Sequence, residues 1–242
     1  MHAVRTFSND PLKILRLLRH MSKSGVSASQ EISHAIHTSA GLLRGIGGEP
    51  VRRELCALLC GAGVLQVLLE YSDVICAIIP ELEPCIGFEQ NNRYHQYTVY
   101  EHIAHAVAND QGNDPIIKVT LLLHDIGKPV CYVEDEYGGH FPQHGAASRK
   151  LAGAVLDRLD FADGQKRELL TLIGCHNAVI DPTPEAVAQW LERLGSERFA
   201  RLLAVRNADI LAHTARTRKS RLVRCAALRE LLAAHMRKGK NC

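Results

Sequence analysis

The sequence predicts an all-α protein. Its apolar residues recur at spacings of three and four, β-branched alternating runs are scarce, and acidic or hydroxyl caps, prolines and glycines punctuate the chain at helix-length intervals. The expected architecture is a helical bundle over 86–215, preceded by a smaller helical unit over 1–85 and followed by a basic helix within 216–242.

The first helix is expected to open at Asn9-Asp10-Pro11, an acidic cap with proline in the first turn. Ile14, Leu17, Leu18 and Met21 form its apolar stripe. Lys13, Arg16, Arg19, His20 and Lys23 form a basic face, either a solvated surface or a surface for phosphates. Gly25 stops this helix, and Ser27 with Gln30 reads as the capping box of a second, carrying Ile32, Ile36, Leu42 and Leu43. Glu49-Pro50 starts a third, and further helices run from Val64 to Tyr71 and from Asp73 to Ile79. Pro84, Gly87, Asn91 and Asn92 mark an irregular connector, which puts a domain boundary near residue 85.

Beyond the connector, Thr98 caps a helix carrying Val99, His102, Ile103 and Val107. A central helix is expected over Ile116–Ile126. Val130 to Phe141 is the one strand-like patch, a candidate hairpin turning at Gly138-Gly139. Helices follow over 144–159 and 164–175, from Thr183-Pro184, from Ser196, and from about Ser220 to Met236, before the basic Arg237-Lys238-Gly239-Lys240.

Composition narrows the function classes. The chain has 242 residues, 46% of them hydrophobic, enough for a substantial core. A net charge of +3 does not by itself indicate nucleic acid. Eight cysteines without a CxxC pair argue against a zinc ribbon and for scattered reduced thiols. No apolar run approaches membrane-spanning length, and the N-terminus lacks a signal-peptide core. These features together predict a soluble cytoplasmic protein with no membrane partner.

The chemistry concentrates at Leu121-Leu122-Leu123-His124-Asp125-Ile126-Gly127-Lys128-Pro129. An apolar run ends in an adjacent imidazole and carboxylate, which are costly to bury unless each has a partner. A divalent metal partners both. Gly127 and Pro129 are expected to end the helix and leave Lys128 near the opening. His102, His144, His176 and Asp209 are further candidate ligands, each on a separate helix or at its end, as a bundle builds a metal site. His105, one turn after His102, is an alternative to it. Imidazole and carboxylate without thiolate suit Mn, Fe, Co, Ni, Zn or Mg.

The order His102…His124-Asp125…Asp209 resembles the HD superfamily of metal-dependent phosphohydrolases, and His144 and His176 resemble the additional ligands of its two-metal members. The chain as a whole resembles the neck, body and HD domain that make up the C-terminal part of bacterial CCA-adding tRNA nucleotidyltransferases. Asn9-Asp10-Pro11-Leu12-Lys13, Ile79-Pro80-Glu81-Leu82, Tyr94-His95, Val99-Tyr100-Glu101-His102 and Phe141-Pro142-Gln143-His144 carry this likeness over residues 5–215. The resemblance implies a hydrolase for phosphomonoesters, 2′-nucleotides or 2′,3′-cyclic phosphates. His102, His124, Asp125 and Asp209 would hold a first metal, and His144 and His176 a second metal or the substrate phosphate. Asp125 would also orient water, and Lys128 would neutralise charge on phosphoryl oxygens. The alternative is a tRNA-binding piece or split subunit, with Lys13, Arg16, Arg19 and the cluster 216–221 as the contact surface.

Two departures from the family pattern lead us to expect no CCA addition by the isolated chain. No nucleotidyltransferase head precedes Phe7. The family's Glu-Asp-x-x-Arg reads Asn9-Asp10-x-x-Lys13, and lysine lacks arginine's planar fork for a base edge. A truncated piece, a split-gene product and a stand-alone hydrolase all fit.

Overall fold

Caps and breakers cut the chain into thirteen helices and one hairpin among residues 2–238, which the structure, a computed structural model, describes. The N-terminal part contains α1 (His2–Asn9), α2 (Leu12–Ser24), α3 (Gln30–Ser39), α4 (Gly48–Leu59), α5 (Val64–Glu70) and α6 (Ser72–Ile78). Helix α1 was not expected. Its Phe7 is buried in the core, and partly buried Ala3 and Val4 lie on the same side. Ser29, not Ser27, caps α3, accepting from the Ile32 amide, while the Ser27 hydroxyl accepts from Gln66. The segment Ala40–Leu43 is a 3₁₀ turn that leaves Leu42 exposed and buries Leu43.

After the connector come α7 (Val99–Asn109), α8 (Pro115–Leu123), strands β1 (Val133–Asp135) and β2 (Gly138–His140), then α9 (His144–Arg158) and α10 (Asp163–Cys175). The chain continues through α11 (Pro184–Leu194), α12 (Ser196–Leu211) and α13 (Ala215–Lys238). The all-α expectation holds. The hairpin turns at Glu136-Tyr137, with Asp135 opposite Gly138. Gly138 and Gly139 lie within β2 because their bare backbones pack on the carbonyls of Asn91 and Gln90, where a Cβ would overlap. Helix α13 starts at Ala215, earlier than Ser220, and the expected basic end at Gly239-Lys240 lies outside the described residues.

Helix α8 is the axis of the bundle. Asp114 caps it, Pro115 occupies its first turn, and Ile117 to Leu123 are buried on every side, as expected of an apolar helix enclosed by others. Arg201 of α12 clamps its start, pairing with Asp114 at 2.7 Å and with Glu168 of α10 at 2.6 Å. The main core runs without interruption from Phe7 through Leu55, Val99 and Leu121 to Ala212, so packing does not divide at residue 85. A second cluster, including Leu172, Phe199, Leu202, Leu228 and Leu232, seats α13 on α11 and α12.

Cys76 and Cys175 are buried, whereas Cys56 and Cys60 are only half-buried. The described cysteines are all free thiols. No helix among the described residues is long and apolar enough to cross a membrane. The basic face of α2 is partly consumed inside the fold: Arg19 meets buried Glu54 at 3.2 Å, and Arg16 meets Asp10 at 3.1 Å.

Candidate metal centre

The capping box of Thr98 and Glu101 sets the start of α7 and directs His102 into the core beside Ile103 and Val107. Helix α8 ends at Leu123, earlier than the expected Ile126, so His124 and Asp125 stand in the turn just beyond it. His144 opens α9, His176 closes α10, and Asp209 lies in the last turn of α12. Six side chains from five helix ends or faces therefore converge. His105 does not join them, because its ring stacks on Tyr97 at 4.0 Å.

Gly127 makes this convergence possible. A Cβ there would overlap the Ser148 amide nitrogen and crowd the His144 carbonyl, and the Gly127 amide donates to the Ser148 hydroxyl at 2.9 Å. The turn after α8 thus presses on the first turns of α9, which brings His144 over Asp125. Gly127→Ala is expected to destabilise the protein by about 1–3 kcal/mol through overpacking and to weaken metal binding as α9 is displaced. Urea denaturation with parallel metal titration checks both.

Asp125 is the hub. Its Oδ2 lies 3.2 Å from His124 Nε2 and 3.4 Å from His102 Nε2, and its Oδ1 lies 3.4 Å from His144 Nε2 and 3.5 Å from His176 Nε2. Asp209 Oδ1 closes the other side, 2.9 Å from His102 and 3.6 Å from His124.

Lys128 is not at the opening. It is 3% exposed, and its Nζ donates to Asp125 Oδ2 at 2.7 Å and Gln90 Oε1 at 2.8 Å, with His95 Nε2 at 3.3 Å. The chain turns back after α8 instead of ending towards solvent, and this places the ammonium behind the carboxylate.

Three of the imidazoles are anchored through Nδ1. His124, His144 and His176 each place Nδ1 at 2.7 Å from a backbone carbonyl, of Leu121, Phe141 and Ile173. A carbonyl can only accept, so each Nδ1 carries a hydrogen and each Nε2 is the atom that faces inward. His144 and His176 Nε2 then face each other at 3.2 Å, and buried His124 Nε2 and Asp125 Oδ1 have no hydrogen-bond partner. The facing His144 and His176 nitrogens and the orphaned Asp125 Oδ1 fit a cation held among them. Carbonyl-anchored imidazoles are the usual outer support of metal-ligating histidines. Asp125, with one oxygen towards each histidine pair, offers positions for one ion or two.

The same electrostatics set the protonation of the cluster. Burial pulls His124 down, but Asp125 and Asp209 outweigh it and raise the imidazole to about 10. Burial would raise Asp125, yet His124 and Lys128 hold it well below the usual carboxylate range. Burial and the Lys128 ammonium lower His102 to about 4, against the pull of Asp209.

Sequence reasoning missed two histidines. His213, one turn after Asp209, donates from Nδ1 to the Asp209 carbonyl at 3.0 Å, and this i, i+4 spacing was the available signal. His95, in the connector, places Nδ1 at 2.8 Å from Asn92 Oδ1 and accepts from Lys128. The centre opens into a cavity of about 650 Å³ rimmed by Tyr94, Arg206, Arg221 and Arg224.

A helical bundle that gathers imidazoles and carboxylates around one water-accessible point is the architecture of a divalent-metal domain. The chain belongs to the HD domain family, which it matches over residues 93–214, half of its length. It is 26% identical over 215 residues to the A-adding tRNA nucleotidyltransferase of Deinococcus radiodurans, covering 83% of this chain and 49% of that protein. It is 23% identical over 225 residues to the multifunctional CCA protein of Legionella pneumophila, covering 86% and 54%. The chain therefore spans about half the length of these relatives, and its likeness to them is consistent with their C-terminal part. A bifunctional uridylyltransferase/uridylyl-removing enzyme of Ruegeria pomeroyi is 25% identical over 201 residues, covering 72% and 21%.

Proposed function

We propose that the protein is a metal-dependent phosphohydrolase acting on phosphomonoesters or on 2′,3′-cyclic phosphates of nucleotides and RNA ends, with 86–215 as the catalytic unit. The observation that carries this reading is the convergence of three carbonyl-anchored imidazoles, His124, His144 and His176, on Asp125, with their Nε2 atoms turned inward and a cavity in front.

His102, His124, Asp125 and Asp209 would hold one ion of Mn, Fe, Co, Ni, Zn or Mg. His144 and His176, sharing Asp125, would hold a second ion or the substrate phosphate. A bound ion supplies Lewis acidity towards the phosphoryl oxygens and acidifies water to a pKa of about 7. Asp125, kept ionised, orients the attacking water through the oxygen that faces His144. Where no second ion sits on its Nε2, neutral His144, whose pKa is lowered by burial, can take the proton and return it to the leaving alcohol. Lys128 fixes the Asp125 carboxylate and also lines the cavity, where its charge would act on the phosphoryl oxygens.

The tRNA-binding reading is less well supported, since Arg16 and Arg19 on its proposed surface already serve acidic partners within the fold. The test is metal analysis of the purified chain, followed by hydrolysis of p-nitrophenyl phosphate and 2′,3′-cyclic AMP with Mn, Ni or Mg added. Turnover that disappears with chelator and returns with metal is expected. A chain that binds metal but cleaves neither ester would sink the reading.

A further inference from the structure

We propose that α13 forms a specificity wall of this site, on which Arg221 and Arg224 receive a second phosphate of the substrate, separate from the one at the ligand cluster. The inference rests on the phosphohydrolase reading and adds to it the class of substrate: a ribose carrying two phosphates.

The wall is built from outside the family match. Residues 93–214 end one position before α13 begins at Ala215, yet Arg221, Arg224, Cys225 and Leu228 of α13 line the same cavity as Asp125, His144, His176 and Asp209. The first ten residues of α13, 215–224, carry Arg216, Arg218, Lys219, Arg221 and Arg224 and no acid.

The guanidiniums facing the cavity have few anionic partners. Arg221 has one hydrogen-bond acceptor among the described residues, the imidazole His213 Nε2 at 3.0 Å, and no carboxylate within 4.0 Å. Arg224 meets Asp181 at 3.0 Å, but that carboxylate is 72% exposed, and such surface pairs contribute little. Arg206, a third cavity guanidinium, is held by the carbonyls of His176 and Ala178 and likewise lacks a carboxylate.

The wall is also held in place. Arg221 lies 5.6 Å from the centroid of the Tyr94 ring, and Tyr94 is fixed because Thr214 donates from its amide to the Tyr94 carbonyl at 3.0 Å. A guanidinium offers several donors in a planar fork suited to phosphate oxygens. A cavity of about 650 Å³ is far larger than one phosphate requires and falls among sites that enclose a whole small ligand. A ribose carrying two phosphates is the ligand class that offers one anion to the ligand cluster and another to the α13 wall of the same cavity. They can come from a free nucleoside bisphosphate or from the phosphorylated end of an RNA.

The test combines binding with turnover, using the full chain. In chelator, calorimetry should show adenosine 3′,5′-bisphosphate binding at least about tenfold tighter than 5′-AMP. The double variant Arg221→Ala/Arg224→Ala should lose that preference, and Val223→Ala, an exposed neighbour on the same helix, should keep it. With Mn, the double variant should raise KM for the bisphosphate by about tenfold to a hundredfold, a larger factor than it raises KM for p-nitrophenyl phosphate. Equal affinity for AMP and bisphosphate in the parent, or an intact preference in the double variant, overturns the proposal. Preferential binding without hydrolysis of any ester supports the wall while refuting the phosphohydrolase reading. Hydrolysis of p-nitrophenyl phosphate without the preference does the reverse. A short 3′-phosphorylated RNA that binds tighter than the bisphosphate assigns the wall to an RNA end, and one that binds more weakly assigns it to the free nucleotide.

Discussion

Asp125→Ala is expected to abolish metal binding, cut hydrolysis by at least about a hundredfold and also destabilise the protein by about 3–5 kcal/mol. The first two effects follow from its position as hub, within 3.5 Å of four imidazole nitrogens. The third follows from Lys128. That ammonium is buried, its partner at 2.7 Å is the Asp125 carboxylate, and its other contacts, Gln90 and His95, are uncharged acceptors. Removing the carboxylate leaves a buried charge without its counter-ion, a larger loss than the net worth of the pair. The double variant Asp125→Ala/Lys128→Met should recover most of the stability and none of the metal binding. Urea denaturation and equilibrium dialysis with Mn separate the two outcomes. An Asp125→Ala chain that retains parental metal affinity would remove Asp125 from the centre. A double variant no more stable than the single would show that Lys128 does not depend on it.

The sequence made the ligands legible but not their supports. An apolar run ending in His124-Asp125 is a local signal, because burial of those two groups follows from the residues around them. His102, His144, His176 and Asp209 became visible as a set through their order and their places at helix ends. Lys128 illustrates the limit: its distance from Asp125 in sequence predicts proximity, but its burial depends on Gln90 and His95, which a connector more than thirty residues upstream folds against it. The role of Gly127 depends on Ser148 and that of Arg221 on Tyr94, and no local pattern announces such long-range contacts. A composition shift near residue 85 marks the connector, yet the core crosses it, since α4 and α5 bury Leu55 and Val67 in the cluster that also holds Val99 and Leu121.

The stabilisation conferred by metal should grow steeply with pH. Before metal binds, His124 keeps its second proton because Asp125 and Asp209 outweigh the cost of burial and raise it to about 10. A ligand must offer the Nε2 lone pair, so binding below that pH displaces a proton. Affinity should therefore rise by up to about tenfold per pH unit through the neutral and mildly alkaline range. The metal-free protein should behave oppositely. A folded-state pKa raised above the unfolded 6.5 contributes stability that is fully present below pH 6.5 and is lost as pH rises towards 10. His102, lowered to about 4, acts on the acid side: the unfolded chain takes up a proton below pH 6.5 that the folded imidazole refuses, so stability falls as pH drops from 6.5 towards 4. These two imidazoles alone would place the stability maximum of the metal-free protein near pH 6.5. Thermal unfolding from pH 5.5 to 9, with chelator and with saturating Mn, should give a Tm difference that widens with pH. Calorimetry in two buffers of different ionisation enthalpy should show proton release on binding at pH 7. A Tm difference independent of pH, with no proton released, would mean that His124 is not a ligand.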